Sequence, residues 1–145
     1  MNELSLVRAN GQNDLERFYP VMKELRKDLS YQDFLSLYEK AHEADSYEVV
    51  GLEDQGKIIA VMGYRILYDF VHGKHLYIDD LVSTESQRSK GLGAKLLNYA
   101  EELAIKHSCK GMRLCTGIEN EQGKKFYDRN GWNLRSVAYK KKLNK

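Results

Sequence analysis

The fold is decided by one stretch of the sequence, Ser86-Gln87-Arg88-Ser89-Lys90-Gly91-Leu92-Gly93-Ala94. It follows a predicted strand over residues 76–82 and leads directly into a predicted helix whose apolar residues recur at helical spacing. Glycine lets a backbone approach a ligand closely and adopt conformations that other residues avoid. The first amides of a helix have no partners within it and attract anions, and Arg88 and Lys90 add positive charge. The stretch therefore predicts a phosphate-binding turn, although glycine pairs also begin helices that bind nothing.

Two familiar nucleotide motifs do not fit this turn. A Walker loop requires Gly-Lys-Ser/Thr after its last glycine, but Gly93 is followed by Ala94, Lys95 and Leu96. A Rossmann fingerprint requires a third glycine where Leu96 stands. The turn therefore supports neither ATP nor NAD as its ligand.

Periodicity around the turn predicts one mixed α/β domain over residues 1–145, in the order β-α-α-β-β-β-α-β-α-β. A helical stripe from Leu15 to Leu29 contains Pro20, which should kink or split that helix. Asp54-Gln55-Gly56 predicts a hairpin turn, and Gly131 predicts a left-handed helix cap. Residues 132–143 are expected to form one or two further strands.

Composition narrows the class of protein. The chain has 145 residues, 42% hydrophobic and 30% charged, with a net charge of +2, which is typical of a soluble domain without a nucleic-acid or membrane surface. Two cysteines favour a reducing, cytoplasmic setting, and we expect no signal peptide and no membrane helix of ~20 apolar residues. His72-x-x-His75 and His107-x-Cys109-x₅-Cys115 lack a structural zinc pattern, so no metal is expected.

Two motifs in the right order resemble one known family. Arg88-Ser89-Lys90-Gly91-Leu92-Gly93 resembles the Q/R-x-x-G-x-G/A signature of the GCN5-related N-acetyltransferases, the GNAT superfamily, and the strand before it looks like the family's fourth. The segment from Asn120 through Phe126-Tyr127 to Gly131-Trp132 is similar to the family's second pattern. The resemblance implies the acyl-CoA N-acyltransferase fold with a splayed central sheet. Ser83, Thr84-Glu85, Ser89 and Gly123 depart from the family's usual residues, which puts only the loop geometry in doubt.

Acetyl-CoA is the cosubstrate that the resemblance implies. In the family the glycine turn wraps the pyrophosphate, and the fourth strand pairs through its backbone with the pantetheine arm. The amide near Leu81 would also polarise the thioester carbonyl. The cofactor-binding residues implied in this way are Leu81, Val82, Ser83, Arg88, Ser89, Lys90, Gly91, Leu92, Gly93, Ala94 and Asn120. Simple core packing for the strand residues, and helix capping for Asn120, are the alternatives.

Three residues are candidates for proton transfer. Tyr127 matches the family's tyrosine that protonates the departing thiolate, and its alternative is a packed aromatic residue. An amine of pKa ~10.4 must lose a proton before it attacks, which requires a base. Asp79 and Asp80 lie in the strand, where alternation predicts opposite faces. The resemblance favours Asp79, and the alternative is that both are surface or paired acids.

The predicted reaction is direct transfer of the acetyl group to a primary amine of a small molecule or peptide, in a ternary complex. In the family the acceptor is shaped by the first two helices and by the loop between the third and fourth strands. Here these are the helical region that contains Tyr31 and Tyr38 and the loop at residues 69–74. Asp69, Asp79 and Glu119 would suit a cationic amine. The alternative function is a non-catalytic acetyl-CoA sensor, and the oligomeric state stays open between a monomer and a homodimer.

Overall fold

The computed structural model describes residues 3–144, which form five β-strands, four α-helices and one short 3₁₀ helix. In chain order the elements are β1 (Leu4–Arg8), α1 (Gln12–Leu25), α2 (Tyr31–Asp45), β2 (Glu48–Asp54), β3 (Lys57–Asp69), β4 (Gly73–Ser83), the 3₁₀ helix (Glu85–Gln87), α3 (Leu92–Lys106), β5 (Gly111–Leu114) and α4 (Glu121–Arg129). Within these residues, no helix has the length and apolar character needed to cross a membrane.

The chain forms two compact units, Met1–Leu114 and Cys115–Lys145. The first contains the whole sheet with α1, α2 and α3, and the second contains α4. The predicted single domain over 1–145 stays a prediction, and its ends at Met1, Asn2 and Lys145 lie outside the described residues.

The five strands form one mixed sheet in sequential order. The first three pairings are antiparallel, whereas β4 and β5 are parallel. The parallel pairing runs from His75↔Gly111 to Ile78↔Leu114 and stops there, although β4 continues to Ser83. The sheet therefore opens between β4 and β5, and the predicted mixed α/β class with a splayed sheet is confirmed.

Helices cover both faces of the sheet. On one face, α1 and α2 bury Phe18, Met22 and Phe34 against Val49 and Val61, all at most 5% exposed. Neighbouring strand residues point to the opposite face, where α3 packs against β3, β4 and β5. Both apolar faces are thereby removed from water, which holds β4 firmly between β3 and β5.

Three local features test the predictions from sequence. Helix α1 is continuous through Pro20, so the prolyl residue does not split it; buried Phe18 and Val21 on either side stabilise the helix against the lost hydrogen bond. The predicted hairpin is confirmed, with Gln55 and Gly56 at φ 52° and 82°. Gly131 has φ 85°, as a left-handed cap requires.

The predicted strands at residues 132–143 are absent from the described part of the chain. Residues 132–144 are assigned to neither helix nor strand, and nearly all of their side chains are exposed. Val137 and Tyr139 favour a strand by propensity, but β-propensity reflects packing on a half-buried surface. At 71% and 94% exposure, these two side chains have no such surface.

Candidate active site

The glycine turn adopts the conformation that its sequence predicts. Gly91 is the N-cap of α3 with φ 80°, and an added Cβ there would meet nothing within 4 Å. Lys95 donates the first helical hydrogen bond, to the Gly91 carbonyl at 3.1 Å, so the amides of residues 92–94 point out of the helix end. Ser89 also has a left-handed φ, 66°. Glycine adopts this conformation at no steric cost, and glycine is the residue that the resemblance leads one to expect at this position.

A carboxylate on α1 holds the segment that leads into this turn. Glu24 accepts hydrogen bonds from the Thr84 hydroxyl at 2.6 Å and from the Glu85 amide at 2.9 Å. It also accepts one from Arg88 Nη2 at 3.4 Å, while Arg88 Nε donates to the Ser83 carbonyl at 3.1 Å. Sequence reasoning missed Glu24, because nothing in its local pattern separates it from an ordinary surface acid.

The end of β4 presents backbone on the side where the sheet opens. Leu81, Val82 and Ser83 pair with β3 on one edge, opposite Met62, Val61 and Ala60. Their other edge lies beyond the last β5 pair, at Ile78. Such an edge can pair with an extended ligand as an added strand would.

A β-bulge changes the expected placement of the two acids on β4. Gly63 opposes Asp80 and Tyr64 opposes Ile78, so Asp79 is the extra residue. Asp80 therefore lies on the same face of the sheet as Gly63. Arg65 is two residues from Gly63 along β3, so its side chain points to that face as well. Because Asp79 binds Arg65, both acids lie on this face. The prediction that the acids face opposite sides is wrong, because the bulge interrupts the alternation on which it depends.

Each of these carboxylates has its own arginine. Arg65 binds Asp79 in a bidentate manner, at 2.9 Å from Nε and 2.8 Å from Nη2. Arg26 donates from Nε and Nη2 to Asp80 Oδ1 at 3.0 and 2.9 Å, and the Tyr47 hydroxyl donates to Oδ2 at 2.7 Å. Burial raises the pKa of Asp79 above its ordinary value, against the opposing effect of Arg65.

A cavity of about 300 Å³ lies between α1, α2 and the sheet, beside Asp80. Its walls are mostly apolar or aromatic, and Arg26 and Asp80 supply its charged groups. The other lining residues are Met22, Leu29, Phe34, Leu37, Tyr38, Ala41 and Tyr47. Among the residues expected near the acceptor, Tyr38 on the second helix lines this cavity, whereas Asp79, Tyr31 and the loop at residues 69–74 do not.

Gly63 provides the room for the Tyr47–Asp80 hydrogen bond. A Cβ at this position would overlap the Tyr47 hydroxyl and lie 2.8 Å from Asp80 Oδ2. We therefore expect Gly63→Ala to lower the free energy of unfolding by about 1–3 kcal/mol, the usual cost of overpacking. Urea denaturation measures this change. The control is Gly111→Ala on β5, where a Cβ meets nothing within 4 Å; equal stability of the two variants would contradict the packing described.

The second unit carries the other pair of predicted site residues. Asn120 Oδ1 accepts from the Gly123 amide at 2.9 Å, and its Nδ2 donates to Thr116 Oγ1 at 3.0 Å, so Asn120 caps α4. Tyr127 packs against Trp132, with ring centroids 6.0 Å apart. Burial raises the pKa of the Tyr127 phenol above its ordinary value, so the hydroxyl keeps its proton at neutral pH.

Asp69, His72 and His75 form a cluster whose ligand atoms lie within 4.8 Å of one another. His75 is buried, and its Nε2 accepts a hydrogen bond from Arg113 Nε at 2.9 Å. That lone pair, which a metal ion would need, is therefore already engaged by a cation. The expectation of no metal stays a prediction.

Comparison with known proteins places the chain among acetyltransferases. A family model described as "Acetyltransferase (GNAT) family" matches residues 11–132. The uncharacterized N-acetyltransferase YhdJ of Bacillus subtilis is 34% identical over 124 residues, covering 85% of this chain and 87% of its own. The thialysine N-epsilon-acetyltransferase of Bos taurus is 22% identical over 136 residues, covering 84% of this chain and 80% of its own.

Solved structures agree on the fold. The aminoglycoside N-acetyltransferase AAC(6')-Iy, determined in complex with CoA, superposes with a TM-score of 0.85 at 19% identity, covering 99% of this chain and 97% of its own. Glucosamine-6-phosphate N-acetyltransferase from Arabidopsis thaliana superposes with a TM-score of 0.76 at 22% identity, covering 98% and 99%. At these identities the likeness establishes a shared fold.

Proposed function

The chain belongs to the GNAT family of acetyltransferases and is an N-acetyltransferase, and from that premise we propose that it moves an acetyl group from acetyl-CoA directly to a primary amine. The acceptor attacks the thioester in a ternary complex, and no residue of the protein becomes acetylated. We propose a cytoplasmic setting, which its two free cysteines, Cys109 and Cys115, suit.

The observation that carries the donor assignment is the arrangement at the end of β4. Its unpaired edge at residues 81–83 leads within a few residues to the outward-pointing amides at the start of α3. The edge suits the extended pantetheine arm, and the amides with Arg88 and Lys90 suit a pyrophosphate. The amide near Leu81 would polarise the thioester carbonyl, which helps the developing oxyanion.

We propose the cavity beside β4 as the acceptor site, with Asp80 as its carboxylate. The sequence favoured Asp79, but Asp80 lines the cavity and Asp79 does not, although each carboxylate is held by its own arginine. A carboxylate there accepts a proton from the attacking amine, directly or through water. Asp79 lies outside this lining, and its carboxylate binds Arg65 instead.

We assign the leaving-group proton to Tyr127 through the resemblance of the second motif. A phenol that keeps its proton at neutral pH is a competent donor to a thiolate of pKa ~8.5 when it lies beside it. This group distinguishes an enzyme from an acetyl-CoA sensor, which needs no general acid.

The test is a panel of primary amines incubated with acetyl-CoA, with free CoA thiol as the readout. We expect amine-dependent thiol release, and a larger thermal shift with CoA than with ATP because a ligand of the native state stabilises it. Stabilisation by CoA without thiol release from any amine would favour the sensor instead. Stabilisation by ATP alone would contradict the donor assignment.

A further inference from the structure

The charges of the acceptor cavity are unusual for a site that takes a simple amine. Asp80 is only 14% exposed, and its Oδ1 already accepts two hydrogen bonds from Arg26. An ammonium that approached this carboxylate would also approach the guanidinium that neutralises it. Like charges repel, and the repulsion is strongest where apolar walls exclude water. A plain monoamine therefore meets a carboxylate whose attraction is largely cancelled.

Arg26 is more accessible to a second ligand than Asp80 is. Its side chain is 48% exposed, and it extends from the C-terminal end of α1 to the edge of the cavity. Of the five N–H donors of Arg26, those of Nε and Nη2 are engaged by the Asp80 carboxylate and the Asp79 carbonyl, so Nη1 is the nitrogen that can donate to a second carboxylate. An acceptor that carries a carboxylate next to its amine would bind Arg26 through the carboxylate and Asp80 through the ammonium.

The remaining walls indicate what the acceptor carries besides these two groups. Leu29, Phe34, Leu37 and Tyr38 line the cavity, and Leu37 is 57% exposed despite its apolar side chain. Covering such a side chain with an apolar group removes apolar surface from water and is favourable. The volume of about 300 Å³ lies at the lower end for ligand pockets, which suits a small molecule better than a peptide.

We propose that the acceptor is a free α-amino acid with an apolar or aromatic side chain. Its carboxylate binds Arg26, its amino group lies at Asp80, and its side chain packs among the apolar residues of the cavity. This inference rests on the proposed function and names its substrate class.

The reaction balances without any further reactant. The ammonium first loses a proton to solvent by way of Asp80, and the free amine attacks the thioester carbonyl carbon. The C–N bond forms, the C–S bond breaks, and the nitrogen loses a second proton as the amide forms. Tyr127 protonates the departing thiolate and regains its proton from solvent. The products are the N-acetyl amino acid, CoA and one proton released.

The experiment compares amino acids with the amines that lack only the carboxylate. Phenylalanine is paired with phenethylamine and leucine with isopentylamine, and kcat/KM is measured by free CoA thiol. We expect each amino acid to be preferred at least about fivefold, which corresponds to about 1 kcal/mol. Equal or better use of the decarboxylated amines would overturn the proposal while leaving the transferase intact. Thiol release from no acceptor, with CoA bound, would instead contradict the proposed function.

Variants of Arg26 test the contact itself. Arg26→Gln should raise KM for the amino acid at least about fivefold but should not raise KM for the paired amine, because the guanidinium that repels a plain ammonium is gone. Arg26→Lys keeps the charge and should recover part of the loss. The matched control is Arg17→Gln, on the same helix but paired with Glu53 outside the cavity, which should leave the preference unchanged. An unaltered preference in folded Arg26→Gln, checked by its melting temperature, would also overturn the proposal.

Discussion

Replacing Tyr127 with phenylalanine is expected to lower kcat at least about thirtyfold, while KM for acetyl-CoA changes less than about threefold. Positioned acids contribute ~10²–10⁴ in rate, and the minimum expected here is set just below that range because water can partly replace the lost hydroxyl. Phenylalanine keeps the ring that packs against Phe126 and Trp132, at centroid distances of 5.1 and 6.0 Å. The substitution therefore removes one proton donor and little else.

Steady-state kinetics on the best acceptor measure this effect, with the melting temperature as a check of the fold. Tyr139→Phe is the matched control, since Tyr139 lies in the same unit but is 94% exposed, and it should leave kcat unchanged. Because burial raises the pKa of Tyr127, its deprotonation should reduce kcat only above pH ~10, the usual value for tyrosine. A kcat for Tyr127→Phe within about twofold of the parent, with chemistry shown to be rate-limiting, would remove Tyr127 from the mechanism.

The sheet and the glycine turn could be predicted because their signals are local. Leu4, Leu6 and Arg8 alternate along β1 (Leu4–Arg8), and Asp54-Gln55-Gly56 predicts the hairpin that joins β2 and β3. Gly91 sits where a left-handed φ and an open approach are both needed. The prediction of strands at residues 132–143 was wrong because a strand depends on contacts that are not local. It requires a partner strand and a surface to pack on, and the segment itself specifies neither.

The acceptor side could not be predicted in detail because it depends on contacts between distant segments. The bulge at Asp79 follows from the register of β3 against β4, and no local pattern specifies a register shift of one residue. Arg26 reaches Asp80 across 54 positions of the chain, and Tyr47 reaches it across 33. Two adjacent acids within a strand are unusual, but the pair alone identifies neither the bulge nor the residues that the acids bind.

Gly91→Val should weaken CoA binding at least about tenfold, or about 1.4 kcal/mol. An added side chain would extend into the open space beside the first amides of α3, where nothing in the protein lies within 4 Å of a Cβ. A branched side chain there would keep a pyrophosphate away from those amides. The φ of 80° also disfavours valine whatever the space, so the variant should lose stability as well.

Gly56→Val separates these two effects, because Gly56 has the same kind of backbone, φ 82°, and the same open surroundings, but lies in the β2–β3 hairpin. Both variants should lower the melting temperature, since both place a branched residue at a left-handed φ. Only Gly91→Val should raise the Kd for CoA, measured by calorimetry at a temperature where both variants are folded. Arg88→Ala should weaken binding in the same direction but less, because the backbone amides remain. If Gly91→Val binds CoA as tightly as Gly56→Val does, the turn does not hold the pyrophosphate.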